Sequence, residues 1–243
     1  MSVFSVVLLT IAAFVTSTIS GVLGMGGGMV LLGVMAAMLP AAWVVPVHGV
    51  VQLCSNGVRT ALFLPHVRWR IFLTYVGPAT IGLIAATMVW SGAKLTWFKP
   101  GIGIFILCFL VYRHYKPGLR NVALWVYAPL GLVVGFLAIF VGSTGPFIAP
   151  FFLRDDFEKE NVIATKAVCQ LWLHLAKIPA FIALGFDYVG QVDLLGWLVL
   201  AVIGGTWIGK KLLGKLSERV FLVLFQVVLA GIACLLIYQG FFG

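Results

Sequence analysis

Two polar stripes at one fixed separation constrain this chain more than any other feature of its sequence. Lys166, Gln170, His174 and Lys177 sit in an apolar stretch of helical length. At about 100° per residue their spacing puts all four within about 80° of one another on a helix. His48, Gln52, Asn56 and Arg59 repeat the arrangement, each 118 residues before its counterpart. Hydrocarbon does not tolerate such a stripe, so both must turn towards a partner or a cavity. The shared separation predicts an internal repeat, with the two stripes as matching parts.

Composition supplies the solvent. Of 243 residues, 62% are hydrophobic and 9% charged, which no soluble domain of this size keeps dry. The chain reads as an all-α polytopic membrane protein. Its start, Val3 to Ile19, is apolar without a basic leader or a convincing cleavage site, and is taken as a first span rather than a signal peptide. The net charge of +9 comes from basic residues scattered in short loops, a pattern that reports membrane orientation rather than nucleic-acid binding. Asp155, Asp156, Glu158, Glu160, Asp187, Asp193 and Glu218 all fall in expected loops or helix ends, so no carboxylate sits inside a span. Cys54, Cys108, Cys169 and Cys234 stand singly in apolar runs and read as small hydrophobes, with a redox or metal role the weaker alternative.

Punctuation divides the chain into ten helices. The expected bounds are 3–23, 27–39, 43–64, 71–91 and 98–113, then 121–141, 145–153, 161–184, 193–212 and 219–239. Helices 2 and 7 are short, about 20 Å and about 14 Å, and break the run of full spans. The polar bridge Arg113 to Arg120 separates a first transmembrane repeat, 1–114, from a second, 115–243, within one transport domain. The 118-residue offset also aligns Gly24 with Gly142 and Gly27 with Gly145. It slips to 122 at Gly82 and Gly204, and Ser55 falls opposite Leu173.

Five helices per copy is an odd number, so the second copy is expected inverted. The basic residues agree. With the Arg68/Arg70 loop in the cytoplasm, those of Arg113, Lys116 and Arg120, of Arg154 and Lys159, and of Lys210, Lys211, Lys215 and Arg219 are cytoplasmic too. Only Lys94 and Lys99 lie opposite, and both termini are expected outside.

The chemistry follows from what the spans carry. Gly24-Met-Gly-Gly-Gly28 and Gly142-Ser-Thr-Gly-Pro146 each sit between a full span and a short helix. Broken backbone at membrane depth survives where it is buried or lines a wet cavity. Gly26, Gly27 and Gly28 let amides converge at a helix start, as do Ser143, Thr144 and Gly145, with hydroxyls added; close helix packing is the alternative use of such glycines. Pro146 suits a first helical turn. Arg59, Lys166 and Lys177 have no intramembrane carboxylate to meet, so carbonyls, water or an anionic cargo must compensate them, unless they snorkel to the surface. Gln52 and Gln170 are too central to snorkel and either bond helix to helix or touch substrate. His48 and His174 serve as core histidines, ligands or proton carriers. His66 and His114 belong to loops, and neither a metal cluster nor a nucleophile–base pair is visible, so the chain is not read as an enzyme and needs no cofactor or metal.

The repeated glycine turn, the short helix running towards a proline, and the stretch S-T-G-P-F-I-A-P-F-F-L-R followed by T-K-A-V-C-Q, His174 and Lys177 resemble the sulfite exporter TauE/SafE family, also called the toluene-sulfonate uptake permeases. The resemblance spans essentially the whole chain as two halves. It implies secondary transport of small, mostly sulfur-containing anions across the bacterial plasma membrane. The sequence departs from the family pattern at Ser143-Thr144, where glycines are common, and at Leu32, where the second copy has Pro150.

The leading expectation is therefore an anion transporter working by alternating access, with its site on helices 3 and 8 and the starts of helices 2 and 7. Protons are admitted as a co-transported partner, through histidine or a protonated anion. A passive anion channel or an accessory membrane subunit is the alternative, and an intramembrane enzyme a weaker one.

Overall fold

The computed structural model describes residues 2–90, 98–115 and 122–241. Helices account for nearly all of them: α1 (Val3–Leu23), α2 (Gly27–Met38), α3 (Ala41–Leu62), α4 (Trp69–Met88), α5 (Phe98–Tyr115), α6 (Tyr127–Val141), α7 (Gly145–Phe152), α8 (Lys159–Ala183), α9 (Val192–Leu213) and α10 (Glu218–Phe241). No strand occurs among the described residues. Five helical segments are long and apolar enough to cross a bilayer among the described residues: α1, α4, α10, and α6 and α9 each taken with the 3-10 turn before it (Leu124–Val141 and Val189–Leu213). The chain is an all-α polytopic membrane protein.

Its polarity is inside-out relative to a soluble bundle. Leu73 and Ile81 on α4, Trp197 and Leu200 on α9 and Val227 on α10 are exposed, whereas every member of both polar stripes is buried. Lipid takes the place of the usual core for the outer faces, and the centre holds what lipid rejects. The helices α3 and α8 have the length of spans but a polar face, and they solve the problem by packing on each other along that face.

Around this central pair, α1 packs on α9, α4 on α6 and α5 on α10; α9 also leans on α3, and α4 on α8. The α1–α9 and α4–α6 crossings are close because small residues meet backbone there. A Cβ placed at Gly82 would come within 2.0 Å of the Leu132 carbonyl oxygen, and one at Gly205 within 2.3 Å of that of Phe14. Membrane helices use such small-residue rows to gain dispersion contact that lipid cannot match.

The boundaries follow local chemistry. Gly24 closes α1 at φ +69°, its amide donating to the Ser20 carbonyl, and Gly142 closes α6 at φ +77°. Both lie in the left-handed region that glycine enters without a Cβ clash. The helix α8 opens with a reciprocal cap between Glu158 and Asn161. Asn161 also donates to the His66 carbonyl, and the Arg68 amide donates to Thr165, which ties the α3–α4 loop to the start of α8.

Helix 6 differs from expectation. It starts at Tyr127 after a 3-10 turn at Leu124–Val126, not at 121. The Arg154 guanidinium takes the Val122 carbonyl, and the Tyr127 hydroxyl donates to the Phe151 carbonyl, so contacts from the α7 end shape this entry. Lys94, Lys116 and Arg120 of the orientation argument lie outside the described residues, as do the side chains of Lys99 and Arg113.

Candidate functional site

The two stripes converge on one small cavity at the meeting of α3, α8 and the glycine turns. It leaves about 30 Å³ open to water-sized groups. A single water needs roughly 10–15 Å³, so the space admits only a compact polar occupant. Of the residues expected to bind substrate, His48, Gln52, Asn56, Arg59, Lys166, Gln170, His174, Gly26, Gly28, Ser143 and Gly145 line it.

Gly27, Thr144 and Lys177 do not. Gly27 packs: a Cβ there would sit 1.7 Å from the Thr16 carbonyl oxygen of α1, so the position is closed to any side chain. Thr144 stands behind Gln170, whose Nε2 donates to its hydroxyl at 3.4 Å. Lys177 is directed at the end of α6. Ser20, Met25 and Met29 reach the wall without having been singled out from sequence. Ser20 precedes Gly24 by one helical turn, and that spacing from the glycine turn is the signal that could have found it.

The three cations do not snorkel. Arg59, Lys166 and Lys177 are 3%, 3% and 1% exposed. Each is received by the carbonyl end of a full span. Lys166 Nζ donates to the Gly24 oxygen at 2.7 Å, Arg59 Nη1 to the same oxygen at 3.2 Å, and Lys177 Nζ to the Gly142 oxygen at 2.8 Å. The C-terminus of a helix carries a partial negative charge, which makes these turns natural cation seats.

The cations are satisfied unequally. Arg59 also donates to the Ser20 and Ser55 carbonyls, the Ser55 hydroxyl and the Asn56 side chain. Asn56 is itself fixed, its amide donating to the Gln52 carbonyl at 2.8 Å. Arg59 is thus held by a set of internal acceptors. Lys166 has one such acceptor for three N–H groups, and its Nζ lies 3.8 Å from where a Cβ of Gly145 would be. The ammonium stands between the two glycine turns with donors to spare.

The neutral groups complete the wall. His48 Nε2 lies 2.8 Å from the Gly28 carbonyl oxygen. A carbonyl only accepts, so Nε2 carries the hydrogen, and Nδ1 is a buried nitrogen without a partner. His174 Nδ1 is likewise unpartnered, and the two rings stand edge to face with centroids 6.0 Å apart. Gln52 lies over the start of α2, where a Cβ on Gly28 would be 3.1 Å from its amide, so the missing side chain is what lets the glutamine approach. The first amides of α2 and α7 have no intrahelical acceptor, and these helix starts add positive potential to the site.

The cavity wall thus carries cationic, amide and imidazole groups and two helix N-termini, and no carboxylate. No curated protein and no solved structure matches the chain. The sulfite exporter TauE/SafE family matches over residues 9–236, nearly the full length. With its apolar helices and buried polar stripes in place, the chain belongs to the TauE/SafE family of membrane transporters.

Proposed function

We propose that this protein is a secondary transporter carrying a compact sulfur oxyanion, of the size of sulfite, across the bacterial plasma membrane by alternating access. The observation that carries the reading is the charge imbalance of the cavity. Arg59, Lys166 and Lys177 are buried among neutral acceptors, the carbonyl ends of α1 and α6 foremost, and meet no carboxylate among the described residues. The remaining positive charge is what a bound anion neutralises. The small free volume favours a compact oxyanion over a bulky aromatic sulfonate.

The packing supports a two-fold mechanism. Exchanging α1–α5 with α6–α10 in order turns the α1–α9 contact into α6–α4 and the α3–α9 contact into α8–α4, and leaves α3–α8 and α5–α10 as self-pairs. All these contacts are present. Such a pattern belongs to inverted repeats, which rock about a central site to expose it to one side and then the other. We place both termini outside, following the basic loops.

Flux tests the reading. Proteoliposomes holding the purified protein are expected to move sulfite well above protein-free vesicles. Changing both Gln52→Leu and Gln170→Leu is expected to cut the rate about tenfold or more, since it removes directional hydrogen bonds from a buried anion. Undiminished flux in that double variant, with folding intact, would remove the site from consideration.

A further inference from the structure

We infer that Lys166 is the proton carrier of this transporter, losing its proton when the site is empty and regaining it with the anion. The inference rests on the anion-site reading above and deepens it. Its basis is the placement of two cations on one oxygen: the Gly24 carbonyl accepts from Lys166 Nζ at 2.7 Å and from Arg59 Nη1 at 3.2 Å. Both side chains are buried and no carboxylate stands between or beside them. Like charges held this close in a dry centre disfavour each other strongly.

Only one of the two can give way. A guanidinium does not deprotonate in a protein, and Arg59 has its set of internal acceptors. A lysine sheds its proton readily when buried. As a neutral amine, Lys166 still donates one N–H to Gly24 and leaves no charge unmatched. As an ammonium it has two further N–H groups that no protein acceptor takes among the described residues. An anion in the cavity would take them.

The surroundings add no competing acid. On α3, Arg59 shares the Gly24 oxygen with Lys166 and His48 lines the same cavity; the helix of Lys166 itself carries His174 at the cavity, Lys177 on the Gly142 carbonyl, and Cys169 buried. The helices α1, α2 and α7 bring no titratable side chain; of the other elements packed on α8, α4 brings the buried Tyr75, α6 the buried Tyr127, the turn after α3 His66, and α10 the exposed Arg219, Cys234 and Tyr238. Every charged group among these is positive. Lys177, also buried on a single acceptor, does not line the cavity and cannot touch the cargo.

Binding then takes the form of an exchange. The anion enters, one proton from bulk water bonds to the Lys166 amine nitrogen, and the pair moves with net charge reduced by one. On release, both leave on the same side. Anion and proton bind cooperatively, so an imposed proton gradient drives the anion in the gradient's own direction.

Calorimetry in buffers of different ionisation enthalpy tests this on the purified full-length protein. The probes are sulfate and methanesulfonate, which do not titrate near neutral pH, alongside sulfite. Wild-type protein is expected to take up about one proton per anion between about pH 6 and 9. Lys166→Arg keeps the charge but cannot release it; it is expected to bind the anion with uptake abolished. Lys177→Arg, at a position outside the cavity wall, is expected to retain the uptake.

Binding of either non-titrating probe to the wild type without uptake overturns the inference, whatever the variants do. Full uptake in a folded Lys166→Arg, or its loss in Lys177→Arg alone, overturns it by moving the proton elsewhere. Failure of the wild type to bind any of the three anions overturns the anion-site reading itself, and this inference with it.

Discussion

Gly24 and Gly142 end α1 and α6 at positive φ, and each offers its carbonyl to a cation 35 residues further along the chain. In the first half that cation is Arg59, fixed by carbonyl, hydroxyl and amide acceptors; in the second it is Lys177, held by one oxygen. The stripes differ again about three helical turns away: His48 in α3 corresponds to Lys166 in α8, an imidazole at one position and a lysine amine at the other. The backbone task is common to both halves, while the mobile charge is concentrated in the second. Two turns with one backbone task can serve a site whose side chains differ.

The largest test of that difference compares Lys166→Met with His48→Gln. Loss of the ammonium is expected to weaken sulfite binding about three-hundredfold or more, because it removes a charge that meets the cargo in a dry centre. The histidine change is expected to cost only about threefold, in line with one neutral hydrogen bond. Equal losses in a binding titration would break the asymmetry.

Next in size is the contrast between the two carbonyl-bound cations behind the turns. Arg59→Met strands several buried acceptors and is expected to lower unfolding stability by about 3 kcal/mol, whereas Lys177→Met strands one and is expected to cost about 1 kcal/mol. Denaturation of both variants in the same detergent reads the ordering.

The turns themselves give a smaller effect. Gly24→Ala and Gly142→Ala place a Cβ at positive φ, at about 1–2 kcal/mol each. The first is expected to be the costlier, because its Cβ meets Ile163 at 3.0 Å, while that of Gly142 meets the movable end of Leu32 at 3.2 Å. Thermal midpoints would sharpen or reverse that order.

The smallest expected effect lies in the loop between α7 and α8. Arg154 pairs with Asp156 at 2.8 Å, and that hydrogen bond holds the Asp156 carboxyl below the usual carboxylate range. A carboxyl depressed by folding stabilises above its unfolded pKa, and the contribution disappears as pH falls through the folded value. The pair is solvent-facing, so Asp156→Asn is expected to cost less than about 1 kcal/mol near neutral pH and nothing in strong acid. A pH series of melting curves checks the sign.

Much of the framework was legible in the chain. The apolar runs gave the spans, and Pro40, the glycine turns and Pro146 gave the breaks; α2 and α7 start at Gly27 and Gly145, as the turn chemistry predicts. Spacing at helical period put each stripe on one face, because side-chain direction in a helix is fixed by position alone. The entry to α6 was not legible, since Arg154 decides it from 32 residues away. Nor was the separation of Gly27 from Gly28: one packs against α1 and the other faces Gln52, and neighbouring glycines carry no local signal of which helix will pass by.

Sequence by itself determined that this chain lives in a membrane, that its polar residues form two matched stripes, and that no carboxylate neutralises them. These are consequences of composition and period, which need no contacts. Tertiary structure alone decided what each cation does. Arg59, Lys166 and Lys177 stand near the ends or first turns of their helices, where a long side chain is free to reach the surface or turn inward. Only the approach of the α1 and α6 carbonyl ends settles that choice, and only the sharing of one carbonyl by Lys166 and Arg59 makes one of them the group poised to release a proton.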